Sequence, residues 1–394
     1  VSIADHLGLF KADWIGDPER LKTLARESRY NDLFTAEIAA WCAEVHGHLR
    51  DLEAEVGVEL ILMGGNAASL RFDAVKQRGS RDNDYLTLAS HADIQRLMDA
   101  FAERFAALHP LFIPSVYEPK MPAEELDLIT YVIPVALRLD HGRASNNTVK
   151  VEFHFETDLP PSETLSGSVG PTKQPMLARV PELPYQFVLK LMTLASPPVG
   201  IDEDHRQDAV PRQLYDLDLL LAVFTQESQW RTMVGYCAAR YARECAHWEA
   251  EVAPREPSAS IQQRLARWED CIDPANERWK TIRAVQQSQL RREVHQGRWG
   301  WRARCLRLVT VAQCIELEDG WKTWQQALAT AAIVPPVKAR HFKGALAELT
   351  GEDVKSLPLE LHDFVWDALS AGEDPLGRRI ANARAILSAV SRQE

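Results

Sequence analysis

The sequence predicts an α+β fold, a strand-bearing core with flanking helices, continued by a largely helical C-terminal region. Three observations carry that expectation. Residues 35–55 bear one apolar stripe at three- and four-residue spacing, residues 56–156 change to short alternating and β-branched runs, and nearly everything beyond Pro184 reads as helix broken by prolines. At 394 residues and 46% hydrophobic, the chain can bury one large core or two ordinary ones, and its length leads us to expect two or three domains.

The elements follow in order. Asp17 can cap, and Pro18 suits the first turn of, a helix through "ERLKTLARES". Ile38, Trp41, Cys42, Val45, Leu49 and Leu52 form the stripe of a longer second helix, whose apolar face needs a partner. Strands are expected at "VELILM", "DYLTLAS", "LDLITYVIPVALRL" and "TVKVEFHFE", with an amphipathic helix near "ADIQRLMDAFAERFAAL". The Pro, Ser and Gly of "TDLPPSETLSGSVGPTKQP" read as a loop or subdomain boundary. Later breaks fall near Pro197-Pro198, Pro254 to Pro257, Pro335-Pro336 and Pro358, and no internal repeat is visible.

A formal charge of -11 argues against coating nucleic acid by bulk attraction but leaves room for a local basic groove. Such an island exists between Arg278 and Arg307, where Glu293 is the only acid. The cysteines, Cys42, Cys237, Cys245, Cys271, Cys305 and Cys314, show neither CxxC nor a zinc-like spacing with histidine, which suits a reducing cytoplasm. The first residues lack the basic start and apolar run of a signal peptide, and no stretch approaches the length of a membrane span.

Three features bear chemistry. Gly64-Gly65 follows a strand and precedes a helix, where missing Cβ atoms permit either a tight turn or close approach to a phosphate. Asp82 and Asp84 flank Asn83 at the start of a strand, so both carboxylates share one face and can meet the same divalent cation while Asn83 points away. Glu152 lies in the polar face of a third strand, between Lys150 and His154. Each feature alone has an ordinary explanation: a turn, two solvated acids, a solvent-facing strand. In this order they follow the logic of nucleotidyl transfer, with carboxylates on metal ions and a glycine turn on phosphates.

At these residues the chain resembles the nucleotidyltransferase superfamily typified by DNA polymerase β, and within it the AbiEii/AbiGii toxins and their MenT-like branch. Gly64, Gly65 and Leu70 fit the first motif; Arg78, Ser80, Asp82 and Asp84 fit the second; Lys190 in "PELPYQFVLKLMTLAS" and Asp216 in "RQLYDLDLLL" fit the third and fourth. Four departures stand out: Asn66 for the usual Ser or Thr, two extra small residues before Leu70, Asn83 for an aliphatic residue, and Arg212-Gln213 for a Lys-Asp pair.

The resemblance implies a nucleotidyltransferase core, a mixed β-sheet with flanking helices. It also implies four parts: N-terminal helices packed on the core (1–55), the catalytic core (56–165), a helical region completing the site (166–228) and a helical C-terminal domain (229–394). Asp82, Asp84 and Glu152 would hold Mg²⁺, Gly64, Gly65, Asn66 and Ser80 would meet the NTP, and Lys190 would neutralise phosphate charge. Asp216 would orient Lys190 or join the acids as a base. The implied activity is a cytoplasmic toxin that transfers a nucleotide to an RNA, foremost tRNA, and is neutralised by a cognate antitoxin protein. Alternatives are nucleotidylation of a protein or small-molecule hydroxyl, or a catalytically inactive binding module.

In "GRWGWRARCLR" and its surroundings, arginines alternate with tryptophans, and Arg291, Arg292, Arg298 and Arg302 are the candidate RNA contacts. The competing reading packs the tryptophans in a core. The histidines show no metal spacing; His154 alone shares a face with Glu152.

Overall fold

The computed structural model describes residues 10–325 apart from 29, 31, 106–112, 117–126, 138, 140–146, 172–174, 198, 203–205, 248–256 and 270–275. The prolines at 335, 336 and 358 and the tryptophan at 248 lie outside the described residues. The described chain packs into two compact units, with boundaries after residues 186, 283 and 295, and the stretch 284–295 returns to the first unit. This two-unit division follows packing: the N-terminal helices and the strands share one hydrophobic core.

In the first unit, α1 (Pro18–Glu27) starts on Asp17, whose side chain accepts the Arg20 N–H at 3.0 Å. The second helix, α2 (Leu33–Val56), starts on Asp32, which accepts the Phe34 N–H at 3.2 Å, and stops at Gly57 in the left-handed region. Every residue of its predicted stripe is buried.

The stripe packs on a sheet built from β1 (Ile61–Met63), β2 (Asp82–Thr87), β3 (Ser115–Val116), β4 (Leu128–Pro134) and β5 (Thr148–Phe155). The strand order is β1-β2-β5-β4-β3, with β2 and β5 parallel and the other neighbours antiparallel. A short helix, α3 (Gly64–Ser69), follows β1, and α4 (His91–Arg104) follows β2 behind a capping box made by Ser90 and Asp93. Tyr85, Phe153 and Tyr131 meet in the core, with ring centroids 5.6 and 6.1 Å apart along the series.

The segment expected as a loop is instead an antiparallel pair, β6 (Ser162–Ser168) and β7 (Pro175–Pro181), registered from Ser162↔Pro181 to Ser168↔Pro175. Its prolines sit at strand ends, where a missing N–H costs no interior ladder bond. Met176, Ala178 and Val180 alternate into the core, while Ser162, Thr164 and Ser166 stay exposed.

Beyond β7 the described elements are helical: α5 (Leu183–Met192), α6 (Ala209–Leu221), α7 (Glu227–His247), α8 (Pro257–Glu269), α9 (Glu277–Gln289) and α10 (Arg298–Ile315). In the second unit, Trp230, Trp268, Trp301 and Trp324 are buried, so these rings belong to the core. Asp218 on α6 receives Arg304 Nε at 3.1 Å and Arg307 Nε at 2.6 Å from α10. Burial alone would raise the Asp218 carboxyl, and the two guanidiniums outweigh it and hold the group below its ordinary value. Arg304 is also sandwiched, 5.0 Å from the Tyr215 ring and 4.6 Å from Trp301.

Candidate active site

Antiparallel pairing of β1 and β2 sets Met63 opposite Asp84, so the chain leaves β1 beside the second acid. Gly64 is required there twice over. Its φ of 71° is one that side chains resist, and a Cβ at this position would overlap the Asp84 carboxylate. At Gly65 a Cβ would lie 2.6 Å from Arg78 Nη2 and 2.9 Å from Ser80 Oγ. The glycine pair therefore lets α3 sit directly against the acidic motif.

The segment before β2 is tied down residue by residue. Gln77 Nε2 reaches the carbonyls of Ser69, Phe72 and Ser168 at 3.0, 3.2 and 2.7 Å. Arg78 Nη1 donates to the Gly79 carbonyl at 3.2 Å, and the Gly79 N–H donates to the Gln289 carbonyl at 2.8 Å. Arg81 donates to Thr35 Oγ1 at 3.1 Å and lies 5.1 Å from the Phe34 ring centre. Ser80 Oγ and Asn66 Nδ2 donate to the Asp82 carbonyl at 3.3 and 3.0 Å. Both Ser80 and Asn66 are buried, and both side chains serve this backbone oxygen.

Alternation then sorts β2. Asn83 is fully buried and Tyr85 nearly so, both toward α2, while Asp82 and Asp84 are half-buried on the opposite face. Parallel register sets Asp84 beside Glu152 and Asp82 beside Lys150, and Glu152 in turn lies opposite Thr130 of β4. The polar face thus holds Asp82, Asp84, Lys150, Glu152 and His154. Among the described residues no three His, Cys, Asp or Glu side chains are close enough together to form a ready-made metal cage. The field of the two aspartates reaches through the sheet: burial pushes the Cys42 thiol well up, and Asp82 and Asp84 push it further.

Lys190 and Asp216 belong to the second unit and form an ion pair of 2.7 Å, with side chains 6% and 2% exposed. Gln213, one of the departures from the family pattern, accepts from the same ammonium at 3.4 Å.

Of the RNA candidates, Arg291 needs correction. It is 5% exposed, stacks 4.9 Å over the Tyr30 ring and donates to the Gly170 carbonyl at 3.3 Å, so its guanidinium is spent inside the first unit. Arg292 is exposed. The side chains of Arg298 and Arg302 lie outside the described residues. The position of Lys150 on the acidic face was readable from strand alternation; the partners of Asn66 were not, because no local pattern joins residues of different elements.

No curated protein matches the chain. Among solved structures, JHP933 from Helicobacter pylori is 14% identical, with 74% of this chain and 97% of that chain covered at a TM-score of 0.35. A protein described as "putative nucleotidyltransferase from H. pylori" is also 14% identical, with 69% and 94% covered at 0.34. Residues 49–304 match the family described as "Nucleotidyl transferase AbiEii toxin, Type IV TA system", a span holding the glycine pair, both aspartates, Glu152, Lys190 and Asp216. The chain belongs to the AbiEii family of nucleotidyl transferase toxins.

Proposed function

We propose that the acidic sheet face transfers a nucleotide from an NTP to an RNA hydroxyl, foremost of tRNA, in a Mg²⁺-dependent reaction that blocks translation: the hydroxyl oxygen attacks the α-phosphorus, the bond to the β-phosphate oxygen breaks and pyrophosphate leaves. The observation that carries this reading is the register of β2 on β5, which sets Glu152 next to Asp84 on the face that Asp82 shares. Carboxylate oxygens are the hard donors Mg²⁺ takes. Because Mg²⁺ usually binds through one or two carboxylates plus substrate phosphates and water, a preformed three-residue cage is not required. Asp82 and Asp84 would hold the ion, with Glu152 as the third donor. When bound, it neutralises charge on the triphosphate and lowers the pKa of the attacking hydroxyl.

The chain's own part is positioning. Gly64 and Gly65 let the start of α3 close on Asp84 and on Arg78 and Ser80, where its backbone N–H groups would face the phosphates. Asn66 and Ser80 hold the Asp82 backbone. Lys190 enters on the family pattern as the phosphate-facing cation, with Asp216 fixing its ammonium. A cytoplasmic site of action and a cognate antitoxin protein follow from the same family reading. Among the described residues no helix is long and apolar enough to cross a membrane.

The test offers each labelled NTP to total tRNA, protein lysate and small hydroxyl compounds in parallel. Label in tRNA is the expected result; label only in protein or small molecules replaces the acceptor, and no label anywhere rejects transfer. Asp82→Asn and Asp84→Asn should each cut turnover by roughly 10²-fold or more with folding intact. Full activity in either sinks the assignment.

A further inference from the structure

Asn66 and Asn83 are two of the positions at which this chain departs from its family's motif, and in the structure they touch. Asn66 on α3 is 1% exposed and Asn83 on β2 is 0% exposed. Asn66 Nδ2 donates at 2.8 Å to Asn83 Oδ1 and at 3.0 Å to the Asp82 carbonyl, while Asn83 Nδ2 donates at 2.9 Å to the Cys42 carbonyl of α2. The partners settle which way each amide faces: reversed, Asn66 would set its oxygen against two oxygens, and Asn83 would set one against a carbonyl. An amide at position 83 without Asn66 would bury an acceptor with no donor, and such groups are costly. The two departures are therefore one matched change shared between two elements.

We infer that Asn66 and Asn83 act as a coupled pair of positioning residues, fixing the backbone at Asp82 so that both aspartates are held ready for a divalent cation. The inference rests on the nucleotidyl-transfer reading of that face. The same six-residue helix meets both acids, Gly64 against the Asp84 carboxylate and Asn66 against the Asp82 carbonyl. Asn83 ties the peptide between them to α2 on the far side of the sheet. The strand is held from both faces at the residues whose side chains must not drift. Neither amide needs to touch the nucleotide for this.

The experiment compares Asn66→Ala, Asn83→Leu and the double variant with wild type by three measurements: urea midpoint, Mn²⁺ binding without nucleotide followed by electron paramagnetic resonance, and steady-state NTP turnover. Each single variant should weaken Mn²⁺ binding about tenfold, as loss of an outer-shell partner does, and lower kcat while the KM for NTP stays within about twofold. The double variant should lose clearly less than the sum of the single losses, because both singles break the shared Asn66–Asn83 contact, each together with one bond of its own. Where a variant does not fold, Asn66→Ser and Asn83→Thr take its place. Unchanged Mn²⁺ binding in the single variants, additive losses in the double, or a rise in KM alone after Asn66→Ala would each overturn the pair. So would a wild type that binds no Mn²⁺. A wild type that binds Mn²⁺ yet transfers nothing rejects the transfer reading, while the Mn²⁺ comparison still decides whether the pair positions the aspartates.

Discussion

Gly57 and Gly64 separate two reasons a chain needs glycine. Both have positive φ, 76° and 71°, but a Cβ on Gly57 would meet nothing within 4 Å, whereas one on Gly64 would strike the Asp84 carboxylate. Gly57→Ala should therefore cost only the backbone strain, about 1 kcal/mol, and leave turnover unchanged. Gly64→Ala carries that strain and displaces Asp84 as well, so it should cost roughly 1–3 kcal/mol and lose activity beyond what unfolding explains. Equal turnover in the two variants, measured on the folded fraction, would remove Gly64 from the site. Lys190 calls for a different control. Lys190→Met removes the ion-pair partner of the buried Asp216 carboxylate and should destabilise by roughly 3–5 kcal/mol, whereas adding Asp216→Leu should recover most of that stability but not turnover. Recovered turnover in the double variant would show that the pair serves only the fold. At this scale the glycine pair and the two aspartates stand out by local spacing, whereas Lys190 enters only through the resemblance. The Asn66–Asn83 contact was not legible, since it joins a helix to a strand across a gap that no periodicity bridges.

Among the elements, α2 is tied to both β2 and β7 through one imidazole. His46 Nε2 donates to the Leu177 carbonyl at 3.1 Å, which leaves Nδ1 to accept from Tyr85 Oη–H at 2.8 Å. Burial holds this histidine neutral and drops its pKa to about 4. The unfolded chain takes the proton below about pH 6.5 and the folded one does not, so stability falls as pH drops from about 6.5 to about 4. The loss over that window is up to about 3 kcal/mol. His46→Gln, whose amide can still donate to Leu177, should flatten the urea midpoint between pH 6.5 and 4.5; an unchanged slope would place the acid sensitivity elsewhere. The link to β7 was hidden in the sequence. Loop-like composition masked the period-two burial of Met176, Ala178 and Val180, and the two-residue β3 is too short to show alternation. The long α2 stripe and the capped α4 were readable because their periodicity spans several turns. The parallel pairing of β2 with β5, on which the site depends, joins strands 60 or more residues apart and is fixed only by the fold.

For the whole molecule, the question is how a chain of net charge -11 would meet the RNA acceptor proposed for it. The positive island between Arg278 and Arg307 is smaller in space than in sequence. Arg291 is spent on Tyr30 and Gly170, and Arg304 and Arg307 on Asp218, while Lys280 pairs with Glu277 at the surface. Buried arginines cannot release counterions from RNA, so the electrostatic part of binding must come from exposed ones such as Arg283 and Arg292. Arg292→Glu should raise the KM for the RNA acceptor and leave the KM for NTP alone. Arg304→Met should instead lower the urea midpoint, because it leaves Asp218 short of one partner, and should leave acceptor KM unchanged in the folded fraction. Each phosphate a cation neutralises adds about −0.9 to the slope of log acceptor affinity against log salt, so Arg292→Glu should make that slope shallower by about 1. A slope that Arg292→Glu leaves unchanged would direct the search for the RNA surface to basic residues elsewhere in the chain.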